Sequence, residues 1–183
     1  MADTARTKTA LATLLADNVA GGISPQDLRD LMESVHPSYG GVYQGGTPAA
    51  TTIAAADTYY VTNWNTGGLQ TNTPHRFTVA TSGRLTYTGE PSIHSHIACT
   101  ISVSVALAAA QILHFKLAKN GTVIDSTETI CTTDGTTNIQ STALHGDVML
   151  ATDDYLELFV RNETGTNDPT LERCYFFALG MFM

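Results

Sequence analysis

In the run IHSHIACTISVSVAL, two histidines one residue apart are the side chains best spaced for chemistry in this chain of 183 residues. Alternate residues of a strand point the same way, so His94 and His96 present both imidazoles on one side and could chelate a transition metal. On a threefold axis six such rings would converge. Thr100, Ser102 and Ser104 continue that face, and hydrogen bonding to hydroxyls is the ordinary use of such histidines; the expectation is no metal, with His94 and His96 kept as candidates. Asp153, Asp154 and Glu157 lie close enough for a calcium site or an acid–base pair, but they follow LAT at a strand entry, where solvated turn residues are expected. Asp147 reads as part of a Gly-Asp turn, and His114 and His145 have no partner visible in the sequence. No nucleophile elbow, P-loop, zinc-protease helix or EF-hand loop occurs, so neither an enzyme nor a cofactor is expected.

These residues need strands to position them. Ile93, Ile97, Cys99, Ile101, Val103 and Val105 alternate with the polar set, which makes theirs the core face. In QILHFKLAKNGTVIDST, Leu113, Phe115 and Leu117 point inward, Asn120-Gly121 turns the chain, and Val123 returns it. DYLELFVRN alternates again through Leu156, Leu158 and Val160. The run RCYFFALGMFM differs: Tyr175, Phe177, Leu179 and Met181 share one face, yet Phe176, Ala178 and Phe182 on the other are also apolar. A sandwich covers one face of a strand, so the second must meet the N-terminal segment or another subunit.

Helical texture is confined to the first 37 residues. Ser24 is a good N-cap, Pro25 suits the first helical position, and Asp27 completes a capping box. Leu28, Leu31, Met32 and Val35 form one apolar stripe, with Arg29, Asp30 and Glu33 elsewhere, and His36-Pro37 stops the helix. Residues 8–19 form a second candidate with Leu11, Leu14 and Leu15 on one side. From Tyr39 onward Gly, Thr and Ala alternate with β-branched residues, which indicates short strands and loops. The chain divides into an arm over 1–37 and a β-sandwich head over 38–183, antiparallel and of jelly-roll length.

Charged residues are only 14% of the chain, and the net charge is −8. Scattered Lys and Arg argue against a nucleic-acid partner and against an anionic membrane surface. No signal-peptide pattern or membrane-length apolar run is present, so the sequons at Asn120 and Asn162 read as coincidental. Cys99, Cys131 and Cys174 lack C-x-x-C spacing, and an odd number cannot all pair within the chain; buried free thiols are expected. Tyr39, Tyr43, Tyr59, Tyr60 and Trp64 could form a sugar-stacking surface, or cover the sandwich ends.

The series RLTYTG, LAKNGTVI, ALHGDVMLATDDYLELFVRNET and CYFFALGM resembles the jelly roll shared by tumour necrosis factor-like and complement globular-head domains. That resemblance implies a compact homotrimer whose closing aromatic strand lines the threefold axis, with Tyr175, Phe176, Phe177, Leu179 and Phe182 at the interface. The segment ALATLLADNVAGGISPQDLRDLMESVHPSYGGVYQ is similar to the N-terminal arm of tailed-bacteriophage virion proteins, with Ile23 to Asp30 carrying the likeness. It implies a virion structural protein, head decoration by preference, assembled in the bacterial cytoplasm. Leu11, Leu14, Leu15, Leu28, Leu31, Met32 and Val35 would contact the major capsid protein or another virion protein. The alternative is the receptor- or glycan-binding head of a fibre, recognising a host-surface glycan near Trp64 or the CTTDGTTN loop.

Overall fold

The computed structural model describes residues 6–14, 23–65, 69–106, 109–134 and 138–182. Two helices, α1 (Lys8–Leu14) and α2 (Pro25–Val35), precede thirteen strands. The strands are β1 (Ser38–Gln44), β2 (Ala49–Ala50), β3 (Tyr60–Val61), β4 (Leu69–Thr71), β5 (Phe77–Val79), β6 (Leu85–Tyr87), β7 (Ile93–Val105), β8 (Ile112–Lys119), β9 (Thr122–Val123), β10 (Thr129–Thr132), β11 (Gln140–Leu150), β12 (Tyr155–Asn162) and β13 (Pro169–Phe182). They form two antiparallel sheets. Sheet A runs β11-β7-β13-β1-β4 with β2 also on β13; sheet B runs β10-β8-β12-β6-β5 with β3 on β12 and β9 on β8.

Alternation builds the core between them. Ile93, Ile97, Cys99, Ile101, Val103 and Val105 of β7 face Leu113, Phe115 and Leu117 of β8 and Leu156, Leu158 and Val160 of β12, all buried. Asn120 and Gly121 have φ of 52° and 77°, the left-handed pair that a two-residue hairpin of matching twist requires. The β8–β9 register, Lys119 opposite Thr122, follows from that turn.

Helix α2 starts as its sequence specifies. The Ser24 hydroxyl accepts from the Asp27 amide at 3.2 Å, while the Ser24 amide donates to Asp27 Oδ2 at 2.9 Å. In α1 the helix spans Lys8–Leu14, and the rest of the expected 8–19 helix, with Leu15, lies outside the described residues.

Four expectations need correction. Phe176 is fully buried in the core, not at a subunit interface, because beyond the register shift at Leu171/Arg173 the even-numbered residues from Cys174 to Gly180 point inward. Trp64 is buried, and a Cβ on Gly83 would stand 2.3 Å from its ring, so it is a core side chain and no sugar platform. Asp147 lies within β11 rather than in a turn; Gly146 beside it admits the Thr127 methyl, which a Cβ there would meet at 2.5 Å. Cys131 is half-buried while Cys99 and Cys174 are buried, all three as free thiols.

Candidate interaction surfaces

The outer face of sheet A follows from its register. Residues directly opposite in an antiparallel ladder share a face. Met181 of β13 lies beside His94, Leu179 beside His96, Phe177 beside Ala98, and Tyr175 beside Thr100. Strand β1 adds Tyr39 opposite Leu179 and Tyr43 opposite Tyr175. Tyr175 is 42% exposed, Leu179 41% and Met181 65%, so β13 carries an apolar ridge into solvent. Phe177 is half-buried and its ring stacks on Tyr175, centroids 6.1 Å apart. The side chain of Phe182 lies outside the described residues.

On the β7–β11 side the face turns polar. His96 Nδ1 is 2.9 Å from Asp147 Oδ1, and the His145 ring lies 5.9 Å from that of His96. His94, exposed, sits between Met149 and Met181. Among the described residues no group of three or more His, Cys, Asp or Glu could hold a metal.

Helix α2 is mounted with its polar side inward. Asp30 is 1% exposed and accepts from Arg6 Nε at 2.7 Å, while Ser34 is buried and accepts from the Arg6 amide. Glu33 Oε1 meets Arg76 Nη2 at 2.5 Å and His75 Nε2 at 3.3 Å, which ties the helix to the head. The sequence set Asp30 and Glu33 off the apolar stripe; Glu33 attaches the helix to the head, and Asp30 binds Arg6 within the arm. Leu28, Met32 and Val35 are 53%, 65% and 63% exposed, and Leu31 is half-buried. Val35 lines a cavity of about 180 Å³ with Leu11 and Met181, so the helix stripe runs on into the β13 ridge. The side chain of Leu14 lies outside the described residues.

The outer face of sheet B carries ionic groups that sequence reasoning passed over. His114 is buried, with Nδ1 2.9 Å from Glu128 and Nε2 2.6 Å from Glu163. Lys116 pairs with Asp125 at 2.7 Å, Arg161 pairs with Asp57, and the Tyr59 hydroxyl donates to Glu128. Burial and then Glu128 push the Tyr59 phenol well up, which keeps it a donor. Glu157 is buried against Arg84, and Asp154 is held by Lys119 at 2.7 Å, so neither is the solvated turn residue expected of them. The signal was available: His114, Lys116, Glu157 and Arg161 alternate with the core residues of β8 and β12.

No protein-family model matches the sequence, and no curated protein matches it. Among solved structures, the TNF protein Eiger from S. frugiperda aligns with a TM-score of 0.50 at 13% identity, covering 80% of this chain and 94% of that one. The PRD1 vertex protein P5 aligns with a TM-score of 0.47 at 9% identity, covering 80% and 97%. The first likeness, taken with the two antiparallel sheets, defines the fold as a tumour necrosis factor-like jelly-roll sandwich.

Proposed function

We propose that this chain is a non-enzymatic structural component of a phage virion: a homotrimeric head decoration protein held on the capsid by its N-terminal arm. The observation that carries the reading is the mounting of α2: Glu33 fastens it to the head at Arg76 and Asp30 holds Arg6 of the arm, while Leu28, Met32 and Val35 face out. A free apolar stripe on a helix of eleven residues is a docking surface, because such a helix gains its stability from burying that stripe. The likeness of Ile23 to Asp30 to phage virion arms supplies the kind of partner. The exposed ridge of Tyr175, Leu179 and Met181 supports self-association, since a sandwich alone leaves it in water.

The test is co-sedimentation of the purified protein with undecorated heads, with light scattering of the free protein. A trimer that sediments with heads, and Leu28→Asp that folds but stays in the supernatant, is the expected result. A monomer at micromolar concentration, or full binding after deletion of residues 1–37, overturns the reading.

A further inference from the structure

Helix α2 meets the head through a second contact beside the Glu33–Arg76 pair, and this one is made of two imidazoles. His36, which ends the helix, places its Nδ1 3.2 Å from Nδ1 of His75, and the two rings stand edge to face with centroids 4.6 Å apart. His75 is fixed on the head: its amide donates to the Tyr39 carbonyl at 2.8 Å, and its carbonyl accepts from the Tyr39 amide at 3.0 Å. His36 is held from the other side, since Pro37 follows it and keeps its backbone extended. The Tyr39 ring flanks both, 6.4 Å from the His36 ring and 6.0 Å from that of His75.

The neighbours decide where protons can sit. His75 Nε2 is 3.3 Å from Glu33 Oε1, and its Nδ1 is 3.1 Å from the Pro37 carbonyl as well as 3.2 Å from His36. An ionised carboxylate and a carbonyl only accept, so His75 has a use for a proton on each nitrogen. His36 has none for a proton on Nδ1. That atom accepts the His75 N–H, and protonating it sets N–H against N–H. The surrounding charges add to the conflict. Arg76 shares Glu33 with His75, and Arg6, paired with Asp30, lines with His36 the cavity between the arm and the β13 ridge. With His75 charged, Arg6, Arg76 and His75 already lean on two carboxylates, and an imidazolium at His36 adds a fourth positive charge to them.

We infer that His36 and His75 form a pH-sensitive latch between the N-terminal arm and the head, closed while His36 is neutral and loosened when His36 takes up a proton. The contact needs neutral His36, so it is complete at higher pH and is lost as pH falls through the range in which imidazoles titrate. Glu33 and Arg76 stay paired, so the helix loosens on the head and is not shed. The contact lies within one chain, so the inference depends on neither the virion reading nor the trimer.

Hydrogen exchange of the full chain, read by mass spectrometry at neutral pH and at about pH 5, tests it, with rates corrected for the intrinsic pH dependence of exchange and β7 peptides as internal reference. Peptides covering α2 should lose protection several-fold in acid while β7 keeps its own. His36→Gln, which can accept a hydrogen bond but takes up no proton, should keep α2 protected at both pH values. His36→Lys, charged throughout, should show the acid level already at neutral pH. Circular dichroism confirms that each variant is folded, and light scattering on the same samples reads any change of association separately, so failure here leaves the decoration reading intact. Unchanged α2 protection in wild type in acid, or the full acid response in folded His36→Gln, as expected were Glu33 the group taking up the proton, overturns the inference.

Discussion

Strand β13 shows core and solvent on alternate residues, and two alanine substitutions three positions apart separate them. Phe176 is fully buried between its ladder partners Val42 and Cys99. Phe→Ala in such a core costs about 3–5 kcal/mol. An aromatic side chain removes about 150–250 Å² from water, which gives roughly 4–6 kcal/mol by area, so the two routes agree near 4. For a chain of this length that is a fall of about 8–16 °C in melting temperature. Leu179, 41% exposed, forfeits roughly 1–2 kcal/mol of burial within its own chain, and any further loss must come from contacts between chains. Thermal unfolding followed by circular dichroism at two protein concentrations tells them apart, since stability from association depends on concentration and core stability does not. Phe176→Ala should show a large shift that does not change with dilution; Leu179→Ala should show a small intrinsic shift and a flattened concentration dependence. A larger intrinsic loss at Leu179 than at Phe176 would refute this division of the strand.

Gly146→Ala should cost about 1–3 kcal/mol in urea unfolding through its clash with the Thr127 methyl, and adding Thr127→Ser, which keeps the hydroxyl bonded to the Leu117 amide, should recover part of it. The hydrogen bond from Tyr59, followed by that from His114, holds the Glu128 carboxyl below its ordinary 4.5 despite burial. Its ionised form is therefore favoured by folding, so the contribution is complete above 4.5 and disappears as pH falls through the folded value. The gap in urea midpoint between wild type and Glu128→Gln at neutral pH should accordingly close in acid; a constant gap would contradict the assignment. Burial pushes the Cys131 thiol up to about 11, and it raises Cys174 as well. Ellman's reagent should thus react slowly with the native protein at mildly alkaline pH and count three thiols once it is unfolded.

Local signals in the sequence foretold the elements they act on. The capping box fixed where α2 begins, Asn120-Gly121 fixed the hairpin after β8, and period-two alternation placed the core faces of β7, β8 and β12. Alternation alone could not say which of two apolar faces on β13 turns inward, since that depends on where sheet B lies, and Phe176 was misplaced for this reason. Helix α2 was read with its apolar stripe as the docking face and its charged residues elsewhere; the partners of Asp30 and Glu33 sit 24 and 43 residues away, at Arg6 and Arg76, and no local pattern announces them. The same distance hid the pairing of His114 with Glu163, 49 residues on.

The position of β13 in sheet A has a consequence for how the chain is made. It lies between β7 and β1, follows every other strand in sequence, and places Gly180 opposite Ser38, a separation of 180 − 38 = 142 residues. The last strand of sheet B ends at Asn162, but β1 and β7 are joined only through β13 and stay apart until residues 169–182 are present. From the completion of β7 until β13 emerges, a nascent chain therefore carries two unclosed strand edges, the kind of surface that pairs with the wrong neighbour. Closure waits for the late insertion of a single strand between two others, a step slowed by long loop closure, and truncation before Pro169 should leave a product that aggregates rather than a smaller folded head.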